Sequence, residues 1–106
     1  MTEAQFRRLA LSFEGAVERS HMNHPDFRAG EGGKIFATIG PDGTWGGLKL
    51  TPEQQSQFLG AAPEAFKPAA GAWGRGGFTI VTFKPAKIAA VRIAMEQAWG
   101  NVAKRS

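Results

Sequence analysis

The stretch from His24 to Ala37 decides the fold, and its sequence is HPDFRAGEGGKIFA. Phe27 to Ala29 predicts a short strand, and residues 30–33 predict a turn, because glycine adopts the backbone angles that turns need. Lys34 to Ile39 then alternates in the period-two pattern of a strand. One predicted face carries Ile35, Ala37 and Ile39, and the other carries Lys34, Phe36 and Thr38. Consecutive strands joined by a tight turn must be antiparallel neighbours, so the stretch predicts part of a β-sheet.

Helices and further strands flank this pair. Thr2 and Gln5 predict a capping box, and apolar residues then recur at helical spacing, which predicts a first helix from Thr2 to Glu14. The other predicted elements are strands over 17–22, 45–50 and 78–83, a short helix from Thr51 to Gly60, a turn over 63–66, a loop over 68–77 and a last helix from Ala86 to Ala103. This order predicts an α+β two-layer sandwich, in which an antiparallel sheet of about five strands carries the N- and C-terminal helices on one face.

The composition limits the class of protein. The chain has 106 residues, and its 13 Lys and Arg outnumber nine Asp and Glu to give a net charge of +4. That length suits one domain, predicted over 1–106. The chain contains no cysteine, which excludes disulfides, thiolate metal sites and a cysteine nucleophile. With no apolar run of bilayer length and no secretory signal, we expect a soluble cytoplasmic protein that does not bind membranes. The positive charge favours an anionic partner.

Three side chains that could carry chemistry lie close together in the sequence, namely His21, His24 and Asp26. They allow a metal site or a general base. However, Pro25 interrupts the pattern, and His21 and His24 would point to opposite sides of an alternating strand. We therefore interpret residues 24–26 as a turn in which Asp26 caps backbone amides. An enzyme that uses these three groups is the weakest of our hypotheses, and we predict no catalytic residue, no metal ligand and no cofactor.

A glycine-rich segment over 71–77 precedes the strand at 78–83. It lacks the Lys-Ser/Thr pair of a P-loop, and it leads into a strand and not a helix, so nucleotide hydrolysis is not expected. We expect Trp73 to anchor the segment in the core and Arg75 to be exposed, where it is available to a phosphate.

Motifs along nearly the whole chain resemble the MmcQ/YjbR-like family. They are GAVE at 15–18, HPDFR at 24–28, GKIFAT at 33–38, PEAF at 63–66 and WGRGGFT at 73–79. The resemblance implies a frataxin-like fold, also called CyaY-like, which agrees with the predicted order of elements. It also implies DNA binding through a double-wing arrangement of hairpins. Glu31-Gly32 departs from the family by lengthening the turn before Lys34.

The face of the predicted sheet away from the helices is the candidate binding surface, because cations attract phosphates and aromatic rings stack on bases. Together with the loop arginine, its candidate nucleic-acid-binding residues are Arg28, Lys34, Phe36, Trp45, Lys49 and Arg75. We predict a small non-enzymatic DNA-binding protein. The alternative is a protein-interaction or small-ligand adaptor, including a homodimer that would bury the aromatic rings of this face.

Overall fold

The computed structural model describes residues 1–103. Its elements in chain order are α1 (Glu3–Leu11), β1 (Val17–His21), β2 (His24–Arg28), β3 (Ile35–Ile39), β4 (Trp45–Lys49), α2 (Pro52–Ala61), β5 (Phe66–Pro68), α3 (Gly71–Arg75), β6 (Phe78–Thr82) and α4 (Ile88–Val102). The strands form one antiparallel sheet in the order β1-β2-β3-β4-β6-β5. The predicted α+β class is confirmed, with six strands where about five were predicted.

Within the described residues, no helix is long and apolar enough to cross a membrane.

Two capping boxes begin helices where the sequence predicts them. The Thr2 hydroxyl accepts a hydrogen bond from the backbone N–H of Gln5, whose side chain accepts one from the backbone N–H of Thr2. Thr51 and Gln54 repeat this arrangement at the start of α2, with Pro52 in the first turn. Each box satisfies two amides that have no partner inside a helix, so short-range chemistry determines both starts.

The core lies between the sheet and the two terminal helices. α1 and α4 pack on the same face of the sheet, which we call the helix face. Its largest fully buried side chains include Phe6 from α1, Phe27 and Leu48 from the strands, and Met95 from α4. The placement of both terminal helices on one face is therefore confirmed.

A β-bulge in β3 corrects the predicted facing of two residues. Phe27 pairs with Ala37, but the next pair is Arg28 with Ile35, so Phe36 is an extra residue between them. An extra residue reverses the alternation on one side of the bulge. Phe36 therefore turns into the core with no solvent exposure. Ile35 instead joins the opposite face of the sheet, which we call the open face.

The interpretation of residues 24–26 as a turn is wrong. These residues belong to β2, and the turn is made by Met22 and Asn23, whose φ angles are 50° and 68°. A two-residue turn with both φ positive matches the twist of a hairpin. It makes His21 and His24 direct cross-strand partners on one face, where the sequence had suggested opposite faces.

The predicted turn is present over 63–65, and two short elements, β5 and α3, occupy part of the region predicted as a loop over 68–77. β5 holds three residues and pairs with β6 at the edge of the sheet, and α3 holds five residues. A strand this short has no visible alternation, and Pro68 suits only an edge. Helix α3 contains Gly71 and Gly74, which lower its propensity. Both elements therefore depend on tertiary contacts.

Candidate functional site

A cleft of about 770 Å³ opens on the open face of the sheet. Its floor is formed by the end of β1 and by β2, β3, β4 and β6, and α3 with the following turn forms one wall. Small-ligand sites in proteins are typically clefts of about 300–1,000 Å³ with a few polar groups among apolar ones. The lining residues are His21, Arg28, Gly33, Lys34, Ile35, Thr38, Lys49, Leu50, Ala72, Trp73, Gly76 and Phe78.

Positive charge dominates the cleft. Three cations line it: Arg28 on β2, Lys34 directly before β3 and Lys49 on β4. Both lysines are exposed. Among the described residues, no carboxylate side chain is part of the lining. A concave surface with cations of one sign concentrates field lines and attracts anions. The arrangement therefore suits an anionic ligand.

A buried carboxylate orients two of the lining side chains. Asp26 has no solvent exposure, and it accepts hydrogen bonds at 2.8 Å from Arg28 Nε and at 3.2 Å from Arg28 Nη2. His21 Nδ1 donates to Oδ2 of the same carboxylate at 2.6 Å. Bidentate and charge-assisted contacts of this kind restrict both side chains to one geometry. The expected role of Asp26 as a cap of backbone amides is therefore wrong.

The same contacts shift the pKa values of Asp26 and Arg28. Burial on its own would raise the pKa of Asp26, but the hydrogen bonds from Arg28 and His21 outweigh it, and the pKa lies below its ordinary value. The hydrogen bond from Arg28 to Asp26 raises the pKa of the Arg28 guanidinium. Asp26 and Arg28 thus form a charged pair at neutral pH.

An exposed tryptophan stands on the wall of the cleft. Trp73 lies on α3 with 72% of its surface exposed, and its ring meets Phe78 edge-on at a centroid distance of 5.7 Å. The expectation that Trp73 anchors its segment in the core is wrong. Gln55 anchors it instead, because its amide nitrogen donates to the carbonyl oxygen of Gly74 and to Thr79 Oγ1, each at 3.1 Å.

The six predicted binding residues separate into groups. Arg28, Lys34 and Lys49 line the cleft. Arg75 is exposed at the end of α3, next to the lining residue Gly76. Trp45 is half-buried and lies with Lys67, Ile80, Thr44 and Thr82 along a second depression, where its indole covers Gly40. Phe36 is part of the core, so its predicted place on the open face is wrong.

His21 and Trp73 are cleft residues that the sequence did not assign to the binding surface. For His21 there was a usable signal, since Asn is enriched at the positive φ of two-residue hairpin turns and Asn23 follows two positions later. For Trp73 there was no local signal, because long-range contacts such as the hydrogen bond from Gln55 to Gly74 position α3. Within residues 1–103, no three His, Asp or Glu side chains are grouped so that they could hold a metal ion.

Comparison with known proteins shows the fold. No family model and no curated protein matches the chain. Among solved structures, it is similar to Deinococcus radiodurans protein DR2400, described with the domain DUF419. The TM-score is 0.76 at 15% sequence identity, and the alignment covers 92% of this chain and 75% of that one. DUF419 is itself YjbR/MmcQ-like, so the chain shares the fold that the sequence resemblance implies.

Proposed function

We propose that this protein binds DNA in the cleft of the open face and prefers single strands. The observation that carries the proposal is the combination of three cations, Arg28, Lys34 and Lys49, with the exposed ring of Trp73 in one concave surface. Proteins that hold single strands combine a positive groove for the backbone with aromatic rings for the bases. Each base stacked on such a ring contributes about 1–3 kcal/mol.

The position of Trp73 favours single strands over duplexes. In a duplex both faces of each base are already stacked, so an indole ring reaches a base face only where the strand is unpaired. The lysines would contact the phosphates of either form, because phosphate contacts carry no sequence information. We therefore expect both forms to bind and single strands to bind more tightly.

The resemblance to the MmcQ/YjbR-like family also supports the proposal, since that family is associated with DNA binding through hairpins. In this chain the β1–β2 hairpin carries His21 and Arg28 into the cleft. We accordingly propose that the chain is a member of that family.

Fluorescence anisotropy with a short labelled oligo-dT and its duplex tests the proposal. Trp73→Ala should weaken binding of the single strand by about tenfold and change duplex binding little, since one stacked base is lost. Trp73→Phe is the matched control and should keep most of the affinity. Lys34→Ala, Lys49→Ala and Arg75→Ala combined should weaken both forms, and unchanged affinity in that triple variant would contradict the proposed surface.

The second candidate is an adaptor that self-associates or binds another protein through the same face. The exposure of Trp73 beside the half-buried apolar lining residues Ile35 and Phe78 favours it. An exposed apolar patch marks interaction surfaces of either kind. Sedimentation velocity separates the two candidates, because a tight dimer that buries Trp73 would make the ring unavailable to DNA.

A further inference from the structure

We propose that the end of the cleft formed by His21, Asp26 and Arg28 binds a terminal phosphate monoester, either at the end of a nucleic-acid strand or on a free mononucleotide. The inference deepens the proposed function, and it rests on that function for the nucleotide part of the ligand. Its own basis is the set of polar atoms that this end of the cleft presents.

The hydrogen bonds within the cluster determine which atoms remain available. Arg28 uses Nε and one hydrogen of Nη2 on Asp26, which leaves Nη1 and the second Nη2 hydrogen for a ligand. His21 uses Nδ1 on Asp26, which leaves Nε2. Both side chains line the cleft, with 30% of Arg28 and 36% of His21 exposed, whereas Asp26 is buried behind them. The available polar atoms, the remaining Arg28 hydrogens and His21 Nε2, therefore belong to the two side chains that face the cleft.

The cluster is organised before any ligand arrives. The Asp26 carboxylate restricts the rotamers of His21 and Arg28, so binding does not have to order them. Exposed lysines such as Lys34 and Lys49 have no such restraint. Because of this difference, the His21 end of the cleft suits one phosphate group in a fixed position. The flexible lysines suit the mobile sugar-phosphate backbone of a nucleic acid.

Charge and oxygen count favour a monoester over a diester. Asp26 offsets Arg28, so the Asp, Arg and Lys side chains of the cleft leave a net charge of +2 through Lys34 and Lys49. A phosphate monoester carries about −1.5 to −2 at neutral pH and three acceptor oxygens. An internal diester carries a single charge and two unesterified oxygens. The free hydrogens on Nη1 and Nη2 of Arg28 and the Lys34 ammonium supply one donor for each monoester oxygen. Nε2 of His21 adds an acceptor for a P–OH group, which an internal diester lacks.

The test compares one short oligo-dT sequence in three forms: with a 5′-phosphate, with a 3′-phosphate and with neither. Anisotropy of an internally labelled strand should show one phosphorylated form binding about tenfold more tightly than the unphosphorylated form, because it adds charge-assisted hydrogen bonds. Thymidine monophosphate should compete for the cleft, and thymidine should not. These arms distinguish a strand end from a free mononucleotide as the source of the phosphate.

Two variants assign the effect to the cluster. His21→Asn keeps an N–H close to the position of Nδ1 for Asp26 but removes Nε2, so it should abolish the preference for the terminal phosphate. Arg28→Gln should do the same. Arg92→Ala is the control, because Arg92 is an exposed cation on α4, outside the cleft lining. If Arg28→Gln does not fold, as judged by circular dichroism, His21→Asn decides the outcome.

The result also separates this inference from the proposed function. Equal binding of all three oligonucleotides, with the salt dependence of phosphate contacts, would overturn the terminal-phosphate site and leave DNA binding intact. Direct binding of thymidine monophosphate, measured by isothermal titration calorimetry, without binding of any oligonucleotide would support the site and overturn DNA binding. A preference that persists in His21→Asn would place the phosphate elsewhere and overturn the assignment.

Discussion

The carboxylate of Asp26 has no solvent exposure and accepts hydrogen bonds from two cleft residues, Arg28 and His21. Because these bonds lower its pKa in the folded state, Asp26 contributes stability that is fully present above its unfolded pKa of about 3.9. That contribution is lost as the pH falls through the lower, folded pKa. The cleft and the acid stability of the protein therefore depend on the same group.

Asp26→Asn should lower the free energy of unfolding near neutral pH by about 1–3 kcal/mol, because the amide presents an N–H toward the donors of His21 and Arg28. At about pH 3 the difference from the unmodified protein should narrow, since protonation of Asp26 removes part of the same stabilisation. Urea denaturation of the variant and the unmodified protein, near neutral pH and at about pH 3, measures the free energy of unfolding in each case. Glu96→Gln, at an exposed position of α4, is the control and should show no such narrowing. An equal loss at both pH values would contradict the role of the Asp26 charge.

Phe36 and Trp73 should respond to truncation in opposite ways. Phe36 is fully buried and meets the Phe13 ring edge-on at 6.2 Å, so Phe36→Ala should lower the free energy of unfolding by about 3–5 kcal/mol. Trp73→Ala removes an exposed ring and should cost less than about 1 kcal/mol. Chemical denaturation of both variants checks the assignment. A small loss for Phe36→Ala would contradict its place in the core.

At the scale of elements, the wall of the cleft depends on close packing between α3 and the sheet. Gly77 joins α3 to β6 with a φ of 112°, and a Cβ at this position would overlap the backbone carbonyl of Leu50. Only glycine adopts that conformation without strain. Gly76, one position earlier, has a φ of −81° and room for a Cβ at ordinary contact distance.

Gly77→Ala should therefore lower the free energy of unfolding by about 1–3 kcal/mol, whereas Gly76→Ala should be nearly neutral. Because Gly77 holds α3 against the sheet, Gly77→Ala should also weaken ligand binding through Trp73. Thermal denaturation and anisotropy on both variants make the comparison. Equal effects of the two substitutions would show that the close approach to Leu50 does not position the wall.

At the scale of the whole molecule, the distribution of charge matters more than the net charge of +4. Lys34 and Lys49 share the cleft, whereas Lys84 and Lys87 are exposed beside the start of α4, outside the cleft lining. A single-stranded ligand releases counterions in proportion to its phosphate contacts, with a slope of about −0.7 per contact in log K against log salt. Only the cations in contact with phosphate contribute to that slope.

Replacing Lys34 and Lys49 together by Ala should make the slope shallower by about 1.4 for a single-stranded oligonucleotide. Replacing Lys84 and Lys87 by Ala changes the net charge equally and should leave the slope close to that of the unmodified protein. A salt titration followed by anisotropy measures both. The same change in both double variants would indicate binding through net charge alone.

The α+β class, the two capping boxes and most strand positions could be predicted from the sequence. These features depend on contacts between residues a few positions apart, such as Thr2 with Gln5, or on an alternation visible within one strand. Arg28 and Lys49 were also assigned to the open face from the alternation within their strands, and both line the cleft. Lys34 lines the cleft too, but it precedes β3, and the alternation from which it was assigned is interrupted by the bulge.

Only the tertiary structure decided which aromatic ring serves the cleft. The bulge turns Phe36 inward because β3 pairs with β2 across one extra residue. The sequence of β3 alone does not predict that pairing. Trp73 is exposed on α3, whose position depends on long-range contacts such as the hydrogen bond from Gln55, nineteen positions away, to Gly74. The two-residue turn at Met22 likewise brings His21 beside Asp26. Strand register and long-range packing depend on the whole chain. The full set of cleft residues could therefore be identified only from the tertiary structure.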